Sequence, residues 1–244
     1  MKGKIFGTGE VQAILDGRKS QFREIVKPQP IDCFPVHQST GHECGWRNEP
    51  MKLMQGINHS TNKLTNQFYC EFCGNGHDYN GDAILKSKYI AGDIIYAKET
   101  WLHVEENEEC DYQGYLYKAD TSSIEWEMSN EEWRWKPSTI MPVDAARLFL
   151  EITKVRVEKI SDISHGDSRA EGVYPHPHRC PGRNPQYVDE DEVSEYCTFE
   201  NGGYSDCYRC AVRLSWMKEY GPKYGSEAWN IWVFAYDFKI ITKP

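Results

Sequence analysis

The sequence predicts an α+β fold, a small β-barrel with short helices at its ends, because several strand patterns occur together with two or three helical ones. The strongest strand pattern is the apolar run at residues 231–241, which suits a central position in a sheet or barrel. The first helical pattern covers residues 9–16, where apolar side chains recur at helical spacing. Gly17 follows directly and is the residue type that commonly ends a helix. Both element types are therefore indicated.

The other predicted elements follow the same two patterns. Further strands are expected at residues 21–26, 92–101, 114–119 and 146–160. A short helix should begin at an N-cap of Asp162 or Ser164 and end at Gly172. A later helix is expected at residues 211–220.

Two segments show little periodicity of either kind and contain most of the cysteines. Residues 27–83 are polar, and residues 173–208 include an acidic run at 189–192. We expect one domain over residues 1–244, with both segments as insertions. Its core would comprise residues 1–26, 84–172 and 209–244.

The formal net charge of −9 and the absence of long apolar runs limit the partners. A negative chain offers no global attraction to a nucleic-acid backbone, so we expect no binding to long duplex DNA. No run approaches the roughly 20 apolar residues that span a bilayer, and residues 1–6 lack a secretory signal core. We therefore expect no membrane partner and a soluble, cytoplasmic protein.

Nine cysteines in such a chain favour metal over disulfides, since a reducing compartment disfavours disulfides. Cys70 and Cys73 are separated by two residues, and so are Cys207 and Cys210. This spacing lets one turn present two thiolates to a tetrahedral zinc ion. The pattern predicts one or two zinc sites, which fully thiolate ligation would make structural.

The thiolates can be grouped in two ways. Separate sites would use one set from each insertion: Cys33, Cys44, Cys70 and Cys73, and then Cys180, Cys197, Cys207 and Cys210. A shared site would join the two close pairs, Cys70, Cys73, Cys207 and Cys210. Cys110 is left over, and a thiolate could be replaced by one of four histidines, His42, His77, His176 or His178.

Four strings in fixed order resemble the ASCH domain family, and most closely its phage- and prophage-encoded members. They are Gly-Arg-Lys-Ser-Gln-Phe-Arg at 17–23, Gly-Asp-Ile-Ile-Tyr-Ala-Lys-Glu-Thr-Trp at 92–101, Ser-Arg-Ala-Glu-Gly at 168–172 and Trp-Val-Phe-Ala-Tyr-Asp-Phe-Lys at 232–239. The resemblance covers residues 4–26, 90–172 and 211–241. It implies a PUA-like fold and the cytoplasm of a bacterium or phage-infected cell.

The resemblance also implies a chemistry. Similar small bacterial amidohydrolases deacetylate N4-acetylcytidine with a lysine and a threonine of a Gly-x-Lys-x-x-Thr string and a glutamate on a later helix. The lysine matches Lys19 and the glutamate matches Glu171, but Phe22 stands where the threonine would be. Ser20 could replace the missing hydroxyl, or Glu171 could activate a water molecule. Lys19 would act as a base if its pKa were lowered and as an oxyanion donor if it stayed charged.

Four further residues are candidates for substrate binding. Arg23 would pair with a phosphate or with a carboxylate, and Phe22 would stack on a base. Glu99 and Trp101 close a predicted strand, where Trp101 either stacks on a base or packs in the core.

Three functions follow from these patterns. The first is a hydrolase acting on a modified nucleoside or nucleobase. The second is a non-catalytic PUA-like module that binds a modified base or RNA. The third is a zinc-stabilised interaction protein of phage origin.

Overall fold

The computed structural model describes twelve strands and three helices. It describes residues 1–27, 29, 53–58, 60, 61, 63–70, 85–104, 113–120, 134–174, 176–181 and 202–244. The strands are β1 (Lys2–Ile5), β2 (Gln21–Ile25), β3 (Leu53–Asn58), β4 (Lys63–Cys70), β5 (Leu85–Lys86), β6 (Ile94–Lys98), β7 (Trp101–Val104), β8 (Gly114–Tyr117), β9 (Phe149–Lys159), β10 (His176–Pro181), β11 (Gly202–Cys207) and β12 (Trp232–Ile241). The helices are α1 (Thr8–Leu15), α2 (His165–Ala170) and α3 (Tyr208–Tyr224).

A five-stranded sheet in the order β1-β6-β9-β12-β2 organises the fold. β1 runs parallel to β6, and the other neighbours are antiparallel. The predicted α+β class is confirmed, and β12 is an interior strand between β9 and β2, as its apolar sequence indicates. The predicted closed barrel is not confirmed, because β1 and β2 lie at opposite edges of the sheet within the described part of the chain.

One face of this sheet forms the main apolar core. Phe22, Tyr236 and Val155 are register partners on β2, β12 and β9, and all three are buried. The Phe22 and Tyr236 rings stack with centroids 4.8 Å apart. Burying each large side chain stabilises the fold by about 2 to 3 kcal/mol, so this row is a major source of stability.

The opposite face of the same strands is charged. Arg23, Ala235 and Arg156 form the adjacent row, since side chains alternate between faces along a strand. Ala235 is fully buried between the two arginines. A small residue at this position leaves room for both guanidinium groups, and the carboxylates of Glu158, Asp167, Glu171 and Asp237 pair with them as described below.

The turns at the ends of α1 and α2 match the sequence. Gly17 has φ 72° and Gly172 has φ 76°, backbone conformations that residues other than glycine rarely adopt. Each glycine ends its helix as expected. Ser164 is the N-cap of α2, because its hydroxyl accepts a hydrogen bond from the Asp167 amide. Of the two expected caps, the structure therefore selects Ser164.

The two cysteine-rich segments contain strands that sequence periodicity does not predict. β3 and β4 form a hairpin within residues 27–83, and Phe68 of β4 packs against Phe234 with centroids 5.5 Å apart. β10 and β11 pair within residues 173–208. The expected strand at 92–101 is divided into β6 and β7, and α3 continues through Pro222 to Tyr224. None of the described helices has the length and apolar character needed to cross a membrane.

Candidate functional site

Lys19 and Glu171, 152 residues apart in the chain, meet at an antiparallel bridge beside the ends of α1 and α2. Lys19 Nζ lies 3.0 Å from Glu171 Oε2 and 3.1 Å from the Glu171 carbonyl oxygen. Gly172 makes this approach possible, because a Cβ at that position would lie 2.6 Å from Lys19 Cβ. The turn after α2 is thus built to hold the two residues together.

The Lys19 ammonium group has three acceptors. The third is Glu10 Oε1 at 3.3 Å, so the three N–H bonds match three oxygens. Burial alone lowers the pKa of Lys19, which is only 5 % exposed, but the carboxylates of Glu171 and Glu10 raise it above its ordinary value. Lys19 is therefore a charged donor, and of the two roles considered for it the base is disfavoured.

Arg23 fixes the other oxygen of Glu171. One Arg23 Nη atom donates to Glu171 Oε1, and the other lies 2.7 Å from Glu158 Oε1. Of the two partners considered for Arg23, the structure therefore shows the carboxylate. Arg23 Nε is buried and has no hydrogen-bond partner among the described residues.

Arg156 continues the charged layer along the sheet. Its guanidinium donates to Asp167 at 3.1 Å and to Asp237 at 3.3 Å. Partial burial raises the pKa of Asp167, but hydrogen bonds from Arg156, Gln21 and Ser164 outweigh it and lower the pKa to about 2. Asp167 is ionised at neutral pH and helps hold α2 on the sheet.

A cavity of about 740 Å³ lies beside the Lys19–Glu171 bridge. It is lined by Gly7, Gly9, Glu10, Gln12, Ala13, Asp16, Arg18, Ala119, Glu171, Gly172, Val173 and Tyr174. The volume is within the usual range for small-molecule sites. Glu10 and Glu171 line the cavity, whereas Lys19 does not: its ammonium group lies behind them, against both carboxylates.

Arg18 and Tyr174 form one wall of the cavity. The Arg18 guanidinium carbon lies 4.3 Å from the Tyr174 ring centroid, and Tyr174 is 71 % exposed. Two Arg18 nitrogens donate to Asp16, and Nη1 donates to the Gly172 carbonyl oxygen at 2.6 Å. Neither Tyr174 nor Glu10 is predicted from the sequence as a site residue, and only their closeness to Gly172 and Lys19 in space identifies them.

Two expected site residues, Phe22 on β2 and Ser20 just before it, do not line the cavity. Phe22 is 2 % exposed and packs in the main core, which argues against stacking on a ligand. Ser20 is exposed, and its backbone bonds to Ala170 and Phe238. Among the described residues that line the cavity there is no Ser, Thr or Cys. Ser20 therefore does not supply, among these lining residues, the hydroxyl of the threonine that Phe22 replaces.

Glu99 and Trp101 belong to a separate cluster. Both Glu99 carboxylate oxygens accept hydrogen bonds from Arg147, at 2.9 and 3.0 Å. Burial raises the pKa of Glu99, although the Arg147 guanidinium opposes this effect. Trp101 is buried against Tyr115, so of its two expected roles the structure shows packing. Neither residue lines the cavity.

The expected zinc ligands are only partly within the described residues. Cys33, Cys44, Cys73 and Cys197 lie outside them, as does Cys110. Cys70 ends β4, Cys180 belongs to β10, Cys207 ends β11, and Cys210 lies in the first turn of α3. Within the described part, no three His, Cys, Asp or Glu residues form a group that could hold a metal ion. Zinc therefore stays a prediction.

The β10–β11 register bears on how the cysteines could be grouped. Cys207 is the register partner of His176, whereas Cys180 is paired with Gly203, four residues further along β10. Four strand residues correspond to roughly 13 Å. The backbone thus separates Cys180 from Cys207.

Comparison of the chain with protein-family models, curated proteins and solved structures finds no match.

Proposed function

We propose that this protein is a hydrolase that cleaves an amide bond of a modified nucleoside or nucleobase, with deacetylation of N4-acetylcytidine as the implied reaction. One observation carries the proposal: a charged lysine, Lys19, and a carboxylate, Glu171, are held together beside a cavity of about 740 Å³. These are the two residues that match the family string and the later helix.

The geometry favours water as the nucleophile. Glu171 uses Oε2 for Lys19 and Oε1 for Arg23, and each oxygen keeps capacity for one more hydrogen bond. Glu171 would take a proton from water while the water oxygen adds to the amide carbonyl carbon. The C–N bond then breaks, the proton passes from Glu171 to the departing nitrogen, and acetate leaves with loss of its proton to solvent.

Lys19 would stabilise the oxyanion of this reaction. Its raised pKa keeps it charged, and a cation beside the developing negative charge lowers the barrier. All three N–H bonds already have acceptors, so one acceptor has to yield to the substrate oxygen. Glu10 is the one that can yield, because its side chain is 46 % exposed, whereas Arg23 holds Glu171.

The ASCH and PUA-like relationship belongs to the same proposal. The order helix, Gly-Arg-Lys string, strand, short helix with Glu171 and final central strand supports it. Barrel closure does not contribute, because the described central sheet is open.

The test is acetate release from N4-acetylcytidine by the full chain. Lys19→Met should reduce kcat/KM at least a hundredfold, because it removes the oxyanion donor, and Glu171→Gln should do the same by removing the base. Lys239→Met is a matched control, since Lys239 of β12 forms an exposed ion pair with Glu151 of β9. Thermal unfolding checks that each variant is folded. Absence of turnover by the wild-type chain at high concentration would refute the hydrolase.

A second candidate is a non-catalytic module that binds a modified base or RNA. It is favoured by the absence of a Ser, Thr or Cys hydroxyl or thiol among the described lining residues and by the complete pairing of Lys19. Saturable binding of N4-acetylcytidine without product would identify this function. Isothermal titration calorimetry and acetate detection on the same sample separate the two candidates.

A further inference from the structure

The side chains that line the cavity are mostly acidic. They include the carboxylates of Glu10, Asp16 and Glu171, against which stand the guanidinium of Arg18 and the Lys19 ammonium group behind Glu10 and Glu171, so these described groups carry a net charge of −1. Arg18 donates three hydrogen bonds: Nε and Nη2 donate to Asp16, and Nη1 donates to the Gly172 carbonyl oxygen. An incoming phosphate would be repelled by this net negative charge, and three of the five N–H donors of Arg18 are already used.

The Arg18–Tyr174 wall offers a different kind of contact. The Arg18 guanidinium lies over the Tyr174 ring at 4.3 Å from its centroid, while the residue as a whole is 71 % exposed. The ring face turned away from Arg18 is therefore open to a ligand. An aromatic face held in place by a guanidinium suits stacking with a planar heterocycle.

The remaining polar groups of the cavity are mainly hydrogen-bond acceptors. Gln12 donates one Nε2 hydrogen to the Ala119 carbonyl oxygen, so its second Nε2 hydrogen is left to donate and its Oε1 to accept. The carboxylate of Asp16 accepts as well. Ligand groups that donate, such as amide N–H and sugar hydroxyls, complement this set.

We infer that the cavity takes an uncharged, planar heterocycle stacked on Tyr174, as a nucleoside or free base, and rejects its phosphorylated forms and RNA. The nucleoside class of the ligand rests on the proposed function. The sequence leaves open whether the ligand is a modified nucleoside or RNA, and this inference selects the nucleoside. Tyr174 provides the stacking surface, and Glu10 and Asp16 exclude phosphate.

Cytidine and cytidine 5′-monophosphate are the probes, and calorimetry on the full chain is the measurement. Cytidine has no acyl group to lose, so its binding is independent of catalysis. The monophosphate should bind about tenfold more weakly at low salt, because its charge faces the carboxylates. The difference should shrink as salt increases, since screening weakens the repulsion.

Substitutions test the two parts separately. Tyr174→Ala should weaken cytidine binding roughly 10- to 100-fold, whereas Tyr174→Phe should retain it, because stacking needs the ring and not the hydroxyl. Asp16→Asn should reduce the preference for cytidine over the monophosphate. Asp162→Asn is the matched control: it changes the net charge equally but lies on an exposed turn outside the cavity lining.

The outcomes are distinguishable from those of the hydrolase test. Unchanged cytidine affinity in Tyr174→Ala, equal affinity for the monophosphate at low salt, or no cytidine binding would overturn this inference. Cytidine binding of the expected pattern without acetate release from N4-acetylcytidine would overturn the hydrolase and leave this inference standing.

Discussion

Lys19 Nζ lies 3.3 Å from Glu10 Oε1, so Glu10 occupies the position at the ammonium group that a ligand oxygen would need. The other two N–H bonds point to Glu171, which Arg23 holds in place. Glu10 itself is anchored by the Gly7 amide, which donates to Oε2 at 2.9 Å. The carboxylate is thus an internal competitor of the substrate.

Glu10→Ala should lower KM for N4-acetylcytidine about three- to tenfold, because the substrate oxygen no longer displaces a carboxylate at a site with a coupling of about 1 kcal/mol. It should also cost about 1 kcal/mol of stability, since the capping contact to Gly7 is lost. Steady-state kinetics and urea unfolding measure the two effects. Glu227→Ala on the exposed turn Gly225–Trp229 is the control, and a higher KM in Glu10→Ala would show that Glu10 binds the substrate.

Gly172→Ala should disrupt the site strongly, although it adds only one methyl group. The added Cβ would lie 2.6 Å from Lys19 Cβ and 2.9 Å from Ala13 Cβ, at a φ of 76° that alanine rarely adopts. A loss of about 2 to 4 kcal/mol in unfolding free energy is expected from strain and overpacking together. Gly9→Ala is the matched control, because a Cβ there meets no atom within 4 Å. Equal stability of both variants would contradict the tight bridge.

Arg23→Lys should not preserve the site, although it preserves the charge. Arg23 joins Glu171 and Glu158 through two separate Nη atoms, and a lysine presents a single nitrogen. One of the two half-buried carboxylates would lose its Arg23 contact and keep only its second partner, Lys19 for Glu171 or Arg156 for Glu158. We therefore expect a loss of about 2 kcal/mol in denaturant unfolding. Lys239→Arg, at the exposed pair with Glu151, should be nearly neutral by comparison.

Asp167 gives the fold a defined acid sensitivity. Its pKa falls from 3.8 in the unfolded chain to about 2 in the folded protein, so its stabilising contribution is present above pH 4. That contribution is lost as the pH falls toward 2, and we expect it to be about 1 kcal/mol after solvent screening. Asp167→Asn should reduce the pH dependence of unfolding between pH 4 and 2. An unchanged slope would contradict the role of Asp167.

Local patterns were sufficient to predict the elements that frame the site. Gly17 and Gly172 mark helix ends because their conformations are local requirements of the turns. The open sheet and the β3–β4 hairpin depend on pairing between distant strands, which periodicity does not reveal. The hairpin sequence also mixes Asn, Gln and Thr with apolar residues, which obscures alternation.

Within the site, the structure shows the expected contact between Lys19 and Glu171, whereas its surroundings have no counterpart in the sequence analysis. The contact is expected only from the resemblance to the ASCH family, since nothing local links residues 152 positions apart. Phe22 lies between Gln21 and Arg23 on β2, and side chains alternate between the faces of a strand. The sequence therefore indicates that the Phe22 ring and the Arg23 guanidinium lie on opposite faces. Glu10 and Tyr174 carry no such signal, because their roles arise only where α1 meets the turn after α2.

The zinc ion that the cysteine spacing predicts should occupy a site that includes Cys207 but not Cys180. Two thiolates on one tetrahedral zinc keep their Cα atoms within roughly 9 Å, given a Zn–S distance of about 2.3 Å. The strand register places Cys180 roughly 13 Å from Cys207, which favours the shared grouping of Cys70, Cys73, Cys207 and Cys210.

We therefore expect about one zinc per chain by metal analysis of the purified protein. Cys207→Ser should lower the zinc content, and Cys180→Ser should leave it unchanged, with Cys110→Ser as the control. Equal zinc loss in Cys180→Ser and Cys207→Ser would contradict the grouping, because it would require both thiolates at one ion.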